Sequence, residues 1–110
     1  MDIGPSPNKK FSNKYQAGAL SFEFVSNGKK ILTNSGYFNK NTNKLNDLSK
    51  SSAVHNVLVI DDNSSCKFKK NSNLESEIKD GLKITSKKII NEKNYWKINA
   101  THNGYFKKYN

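Results

Sequence analysis

The amino-acid sequence predicts an all-β fold, an antiparallel β-sandwich, and three observations carry that prediction. Apolar and polar residues alternate with the two-residue period of a β-strand over residues 20–24 and again over 96–101. Dipeptides that supply the positive backbone angles of tight turns occur at Asn27-Gly28, Asp80-Gly81 and Asn103-Gly104. No stretch of useful length has the 3.6-residue period of an amphipathic helix.

A β-hairpin is the first predicted element. In ALSFEFVSNGKKILT, residues 19–33, the side chains of Leu20, Phe22 and Phe24 fall on one face of a strand. Asn27-Gly28 then turns the chain, and KKILT returns as the second strand.

The middle of the chain predicts a long loop and then a buried strand. Residues 34–52 are polar and rich in asparagine and serine, with only Leu45 and Leu48 as apolar anchors. Long loops inside small domains are often functional. The apolar run in SSAVHNVLVIDD predicts a strand over 54–60 that is buried on both faces. The turn-forming sequence DDNSS ends it.

The last third predicts further strands. Asp80-Gly81 indicates a second hairpin, and the alternation of NYWKINATHNGYF indicates a strand with Trp96 and Ile98 facing inward. Asn103-Gly104 turns the chain into what reads as one more strand, YFKKYN, which has no following partner in the sequence. We therefore expect one domain over residues 1–110, incomplete at its C-terminal end.

Charge and composition restrict the function classes. The net charge is +10, and all 19 basic residues are lysines. Arginine, which reads guanine edges and clamps phosphates, is absent from the sequence, so a nucleic-acid partner is not expected. No run of apolar residues approaches the roughly 20 of a membrane span. No signal peptide is recognisable. The single cysteine, Cys66, has no disulfide partner and is expected to pack as a small apolar residue.

Five segments, in order, resemble the C-terminal β-sandwich domain of the heparinase II/III-like polysaccharide lyases. They are DIGPSP, AGALSFEF, GKKILTNSGY, SSAVHNVLVIDD and ATHNGYF. The resemblance implies that a helical toroid domain, which this chain lacks, precedes the sandwich, with the active site between the two. It also implies β-elimination on an acidic polysaccharide containing uronic acid, of glycosaminoglycan or alginate type, in the cell envelope or periplasm. The isolated chain is expected to be inactive.

The resemblance also assigns candidate site residues. The family's pattern His-x-His-Ala-Asp before Leu-Ser-Phe falls on residues 14–18, so Lys14 replaces the reaction histidine and Gln16 replaces a zinc histidine. Asn34 replaces the zinc aspartate, and His55 matches the remaining zinc histidine. One imidazole with two carboxamides is a poor zinc site. We therefore expect Gln16, Asn34 and His55 to form a polar cluster without a metal or other cofactor.

Each candidate catalytic residue also has a structural interpretation. His55 is either a neutral imidazole hydrogen-bonded by Gln16 and Asn34, or a catalytic or ligand-binding group. Lys14 either neutralises a substrate carboxylate or acts as a base, or it is a solvated lysine. Tyr37, at the head of the long loop, is the better tyrosine candidate for substrate contact.

Two functions from different classes remain open at this point. The first is a lyase segment that forms one wall of an active-site cleft. The second is a non-catalytic carbohydrate-binding or structural module whose ancestral site has decayed. Trp96 also has two interpretations, a core residue or a platform on which a sugar stacks.

Overall fold

A computed structural model describes residues 1–38, 43–73 and 75–110 of the chain. Its strands and α-helices, in chain order, are β1 (Phe24–Ser26), β2 (Lys29–Leu32), α1 (Asn43–Lys50), β3 (Lys67–Lys70), β4 (Ser76–Asp80), β5 (Ile84–Glu92), β6 (Tyr95–His102) and α2 (Phe106–Tyr109). Short 3-10 helices cover Lys9–Phe11 and Ser52–Val54.

Antiparallel pairing confirms the all-β prediction. The described strands form three two-stranded sheets, in which β1 pairs with β2, β3 with β4, and β5 with β6. Each sheet is small, and a sandwich is compatible with this arrangement. None of the helices in the described residues is long and apolar enough to cross a bilayer.

The first hairpin forms at the predicted turn. Ser26 pairs with Lys29, which leaves Asn27 and Gly28 as the two turn residues, with φ angles of 49° and 73°. Two consecutive positive φ angles are typical of the type I′ turn that suits the twist of a hairpin. The first strand is shorter than predicted because Leu20 has a φ of 64°, which interrupts extended backbone before β1 begins.

The predicted buried strand over 54–60 is wrong. The chain there leaves a 3-10 helix at Ser52–Val54 and runs on without a paired strand, apart from one isolated bridge between Ile60 and Asn63. Leu58 is 73% exposed. The turn that follows is as predicted, since Asp61 and Asp62 both have positive φ.

The predicted loop over 34–52 contains helix α1, which the sequence analysis missed. Residues 39–42 of this loop lie outside the described residues. Leu45 and Leu48 are three residues apart, the spacing of one helical face, and this was the signal for a helix. Both leucines remain about half exposed.

The predicted second hairpin at Asp80-Gly81 is also wrong, although both strands exist. β4 pairs with the preceding strand, β3, and β5 pairs with the following strand, β6, to which the Lys93-Asn94 turn connects it. A Cβ atom at Gly81 would lie 2.9 Å from the Cβ of Ser6, so this glycine permits a close approach of the N-terminal segment. Residue 74, before β4, lies outside the described residues.

Two expectations about the C-terminal part are corrected. Residues Phe106–Tyr109 form the short helix α2 instead of another strand. Trp96 is 68% exposed and does not belong to the core. It lies on β6, whose residues are otherwise exposed or half-buried.

The core is small and lies between the N-terminal segment and the β3–β4 sheet. Its buried members are Ala17, Ala19, Cys66 and Leu82, with Tyr15, Phe68 and Ile84 packed against them. Cys66 packs as a small apolar residue, as expected, and burial raises the pKa of its thiol. Several large apolar side chains remain exposed.

Candidate functional site

Three separate segments of the chain meet around His55. The backbone N–H of Ala17 donates to the carbonyl of Lys50 over 2.8 Å. The hydroxyl of Ser52, which is buried, donates to the carbonyl of Ala17 over 2.7 Å. The backbone N–H of Ser35 donates to the carbonyl of Val54 over 3.3 Å. The segments that carry Gln16, Asn34 and His55 are therefore adjacent. A polar cluster of these three side chains would require this arrangement of the backbones.

The imidazole of His55 is half-buried, and the structure defines its tautomer. Its Nε2 lies 3.1 Å from the carbonyl oxygen of Ser49, an acceptor, so Nε2 carries the hydrogen. In the neutral ring Nδ1 then keeps the lone pair. Burial lowers the pKa of His55, and the Ser49 bond only partly offsets this. His55 is therefore neutral near pH 7 and able to accept a proton at Nδ1.

Gly18 lies directly beside this ring. A Cβ atom at Gly18 would be 3.7 Å from Cγ of His55 and 3.2 Å from Oγ of Ser21. The resemblance places an aspartate at this position, where this chain has Gly18, so residue 18 brings no carboxylate to the His55 ring.

Asn34 contacts the residue after His55. Its Oδ1 accepts the backbone N–H of Asn56 over 3.0 Å. In return, the side-chain amide of Asn56 donates to the carbonyl of Thr33 over 2.9 Å. This reciprocal pair closes the loop onto the end of β2, which agrees with the loop-closing role that short amides commonly have.

The direct amide bonds expected at His55 are not formed. The ring nitrogen bonds to the Ser49 carbonyl, and Asn34 is engaged by Asn56. The Nε2 atom of Gln16 is buried and finds no hydrogen-bond partner among the described residues. Gln16, Asn34 and His55 therefore lie on neighbouring segments without a side-chain network in the part of the chain that the structure describes.

Lys50 braces this region and was missed by the sequence analysis. Its side chain is 3% exposed, and its ammonium donates to the carbonyls of Asn13 and Ser76, the latter over 2.8 Å. Burial is the main cause that lowers its pKa. Because Lys50 ends α1, its bonds hold the helix end and the neighbouring Ser49 carbonyl, to which His55 is bonded. A lysine within a polar run gives no sequence signal for such burial.

The other candidate catalytic residues lie at the surface. Lys14 is exposed, and Tyr37 is 41% exposed beyond Gly36, whose φ is 74°. Neither side chain forms a hydrogen bond with the His55 ring, which within the described ranges bonds to the Ser49 carbonyl. Tyr15, by contrast, packs against the core, and burial raises the pKa of its phenol to about 12. A phenol of that pKa is a poor base near neutral pH.

The residues at the zinc positions do not fit a zinc ion. Neutral amides replace two of the ligands, and one of them, Asn34, already accepts a backbone hydrogen bond. Nε2 of His55 carries a hydrogen and donates it to Ser49. Across residues 1–38, 43–73 and 75–110, no three histidine, cysteine, aspartate or glutamate side chains group closely enough to hold a metal.

Comparison with known families decides the relationship. The sequence profile described as Heparinase II/III-like, C-terminal, matches residues 1–110, the whole chain. The chain belongs to this family. No curated protein and no solved structure matches it significantly. Membership of the heparinase II/III-like C-terminal family relates the domain to polysaccharide lyases and implies an acidic polysaccharide substrate and a larger, multidomain protein.

The two histidines of the domain predict a loss of stability in mild acid. Burial holds the pKa values of His55 and His102 below the usual value. Nδ1 of His102 also accepts the backbone N–H of Gly104 over 3.0 Å, a bond that protonation of Nδ1 would remove. As the pH falls, the histidines of the unfolded chain take up protons at about pH 6.5. Those of the folded chain take them up only at a lower pH. The stabilisation is therefore complete above that pH and declines as the pH falls toward the folded-state pKa values.

Urea unfolding at about pH 7.5 and about pH 5.5 measures this effect as a lower free energy of unfolding in acid. The double variant His55→Gln, His102→Gln should lose less stability over the same interval. If the free energy of unfolding falls equally in the two proteins between these pH values, the assignment to these histidines is contradicted.

Proposed function

We propose that this domain forms one wall of the active site of a carbon–oxygen lyase that cleaves a uronic-acid-containing polysaccharide by β-elimination. The proposal concerns the complete protein, in which a helical toroid domain supplies the opposite wall. The observation that carries it is the family match over the whole chain. The cell envelope or periplasm is the compartment we propose, because acidic polysaccharides of this kind occur outside the cytoplasm.

The elimination needs three chemical contributions. A base removes the proton next to the carboxylate, the carbon–oxygen bond to the 4-linked sugar breaks, and a carbon–carbon double bond forms between these positions. The departing oxygen takes up a proton, and the uronate charge must be neutralised. No oxidant or reductant is needed.

His55 and Lys14 are our candidates for the base and for neutralisation of the uronate, and Tyr37 is our candidate for contact with the sugar. His55 is suited to accept a proton because it is neutral, with its lone pair on Nδ1. Lys14 is an exposed cation, suited to pair with the uronate carboxylate. Tyr37 is an exposed phenol beyond β2, suited to contact the sugar. Asn34 positions the segment that carries His55, because its Oδ1 accepts the backbone N–H of Asn56.

A non-catalytic carbohydrate-binding or structural module is the second candidate. Lysine stands at the family's reaction-histidine position, and amides stand at two of its zinc positions. These replacements favour a decayed site, in which His55 is a half-buried polar residue that braces the end of α1.

The reaction product separates the two functions. We expect the complete protein, mixed with alginate or heparin, to release oligosaccharides with an unsaturated uronate end, which absorbs ultraviolet light. The isolated chain should release none. Cleavage that yields only saturated ends would contradict elimination. The absence of any cleavage across glycosaminoglycan and alginate substrates, with binding retained, would favour the non-catalytic module.

A further inference from the structure

The longest sheet of the domain is a two-stranded ribbon formed by β5 and β6. It begins at the pair Ile84–His102 and runs to Glu92–Tyr95, next to the Lys93-Asn94 turn. Its nine-residue strand spans about 30 Å at the usual rise per residue. Within the described residues, no other strand or helix packs extensively along it.

The far end of this ribbon, residues 92–97, is called the ribbon tip here. It carries two adjacent aromatic residues, Tyr95 and Trp96, which are 56% and 68% exposed. Because side chains alternate along a strand, the two rings lie on opposite faces of the ribbon. Trp96 shares its face with Ile89 and Ile98, while Tyr95 shares its face with Lys97.

Positive charge surrounds these two rings. Lys93 and Lys97 belong to the tip, and Lys87 and Lys88 follow along β5. None of these four lysines forms an ion pair within residues 1–38, 43–73 and 75–110. Glu92, opposite Tyr95, is the one acidic side chain of the tip.

We propose that the ribbon tip is a second carbohydrate-binding surface, separate from the His55 site, which holds an acidic polysaccharide. Pyranose rings present apolar C–H faces that pack on the exposed ring of Trp96. Carboxylate or sulfate groups at the sugar edges meet the ammonium groups of Lys93 and Lys97. Lys93 lies in the turn and Lys97 on the face opposite Trp96, and only about 5 Å separates the two strands, so one flexible polymer that stacks on Trp96 can also reach these lysines at the ribbon tip.

Charge complementarity selects this occupant over others. A second copy of the domain also has a net charge of +10, which opposes its approach. An acidic polysaccharide, the substrate class implied by the family, is attracted by the same charge. The choice of a saccharide as the ligand rests on the proposed function. The exposure of the aromatic rings and lysines at the tip is a structural observation that does not depend on it.

Binding to alginate and heparin tests the proposal, with neutral dextran as the uncharged comparison. Titration calorimetry on the complete protein should show Trp96→Ala weakening alginate or heparin binding about fivefold to tenfold. The double variant Lys93→Gln, Lys97→Gln should weaken it about fivefold and reduce its dependence on salt. Dextran should bind much more weakly than either acidic polymer.

Matched controls lie outside the ribbon. Phe11→Ala removes another exposed aromatic ring, and Lys29→Gln with Lys30→Gln removes two exposed cations from β2. Both controls should leave binding unchanged within about twofold. Equal losses in the lysine control and in the tip variant would overturn the proposal, because binding would then depend on overall charge.

Two further results would also overturn it. Unchanged binding by Trp96→Ala would exclude a stacking role. A change in the oligomeric state of Trp96→Ala, without a change in binding, would identify the tip as a protein contact. These binding measurements need no turnover. If the binding proposal for the ribbon tip is wrong, the result of the unsaturated-product assay is not affected. If no elimination is found, the binding result is not affected.

Discussion

Replacing His55 with glutamine in the complete protein is expected to lower turnover of an acidic polysaccharide by about 100-fold to 10,000-fold, the usual contribution of a general base. The folded domain keeps this ring neutral, with the hydrogen on Nε2 donated to the Ser49 carbonyl over 3.1 Å. Glutamine retains a donor for that carbonyl but has no lone pair of comparable basicity. The rate of unsaturated-product release measures the effect.

The matched control for this variant is His102→Gln. His102 is the other histidine of the chain, also half-buried, and its Nδ1 accepts the Gly104 N–H at the turn after β6. We expect this control to change stability and to leave turnover within about twofold. A comparable loss of turnover in both variants, or none in His55→Gln, would contradict a catalytic role for His55.

The variant Asn34→Ala distinguishes a role of this region in catalysis from a purely structural role. The Asn34 side chain accepts the Asn56 N–H and so fixes the residue next to His55. Lower turnover with an unchanged unfolding temperature would support positioning of the catalytic group. A lower unfolding temperature with unchanged turnover of the folded fraction would support a structural role.

Replacing Gly104 with alanine is expected to destabilise the domain by about 3 kcal/mol, because the added methyl group overlaps packed backbone. A Cβ atom there would lie 2.7 Å from the carbonyl oxygen of Ser65 and 2.9 Å from its Cβ. It would also lie 2.9 Å from Nδ1 of His102. Relief requires movement of the Ser65 backbone next to Cys66, a member of the core.

Chemical denaturation measures this loss as a lower midpoint with a similar slope. Gly4→Ala is the matched control, since a Cβ atom at Gly4 meets only the Asp2 carboxylate oxygen at 3.5 Å, an ordinary contact. We expect the control to stay within about 0.5 kcal/mol of the parent protein. Equal midpoints for the two variants would contradict the packing described at Gly104.

Errors in the sequence analysis occur where pairing partners are distant along the chain. The run 57–60 has the composition of a buried strand, but no strand within residues 1–38, 43–73 and 75–110 pairs with it, and Leu58 is 73% exposed. Asp80-Gly81 has the composition of a hairpin turn, yet β4 pairs with β3. Composition indicates that a residue run suits a strand, while hydrogen bonding to a partner makes it one.

The candidate site shows a similar division. The family resemblance pointed to His55 and Asn34, and the structure places them on adjoining segments, where Asn34 bonds the residue after His55. Nothing in the sequence indicated that Ser49 would bond the imidazole or that Lys50 would be buried. Both contacts depend on helix α1, an eight-residue element whose only signal is the spacing of two leucines. The catalytic roles assigned to His55, Lys14 and Tyr37 remain predictions.

The sequence alone determined the features that depend on a few neighbouring residues. The turn at Asn27-Gly28, the extended conformation of Tyr95–His102 and the all-β class follow from local backbone preferences and side-chain alternation. Tertiary structure alone decided which strands pair, which glycines allow close packing, and how the environment of His55 lowers its pKa. These outcomes depend on contacts between residues far apart in sequence, and their free energies appear only when the chain is folded.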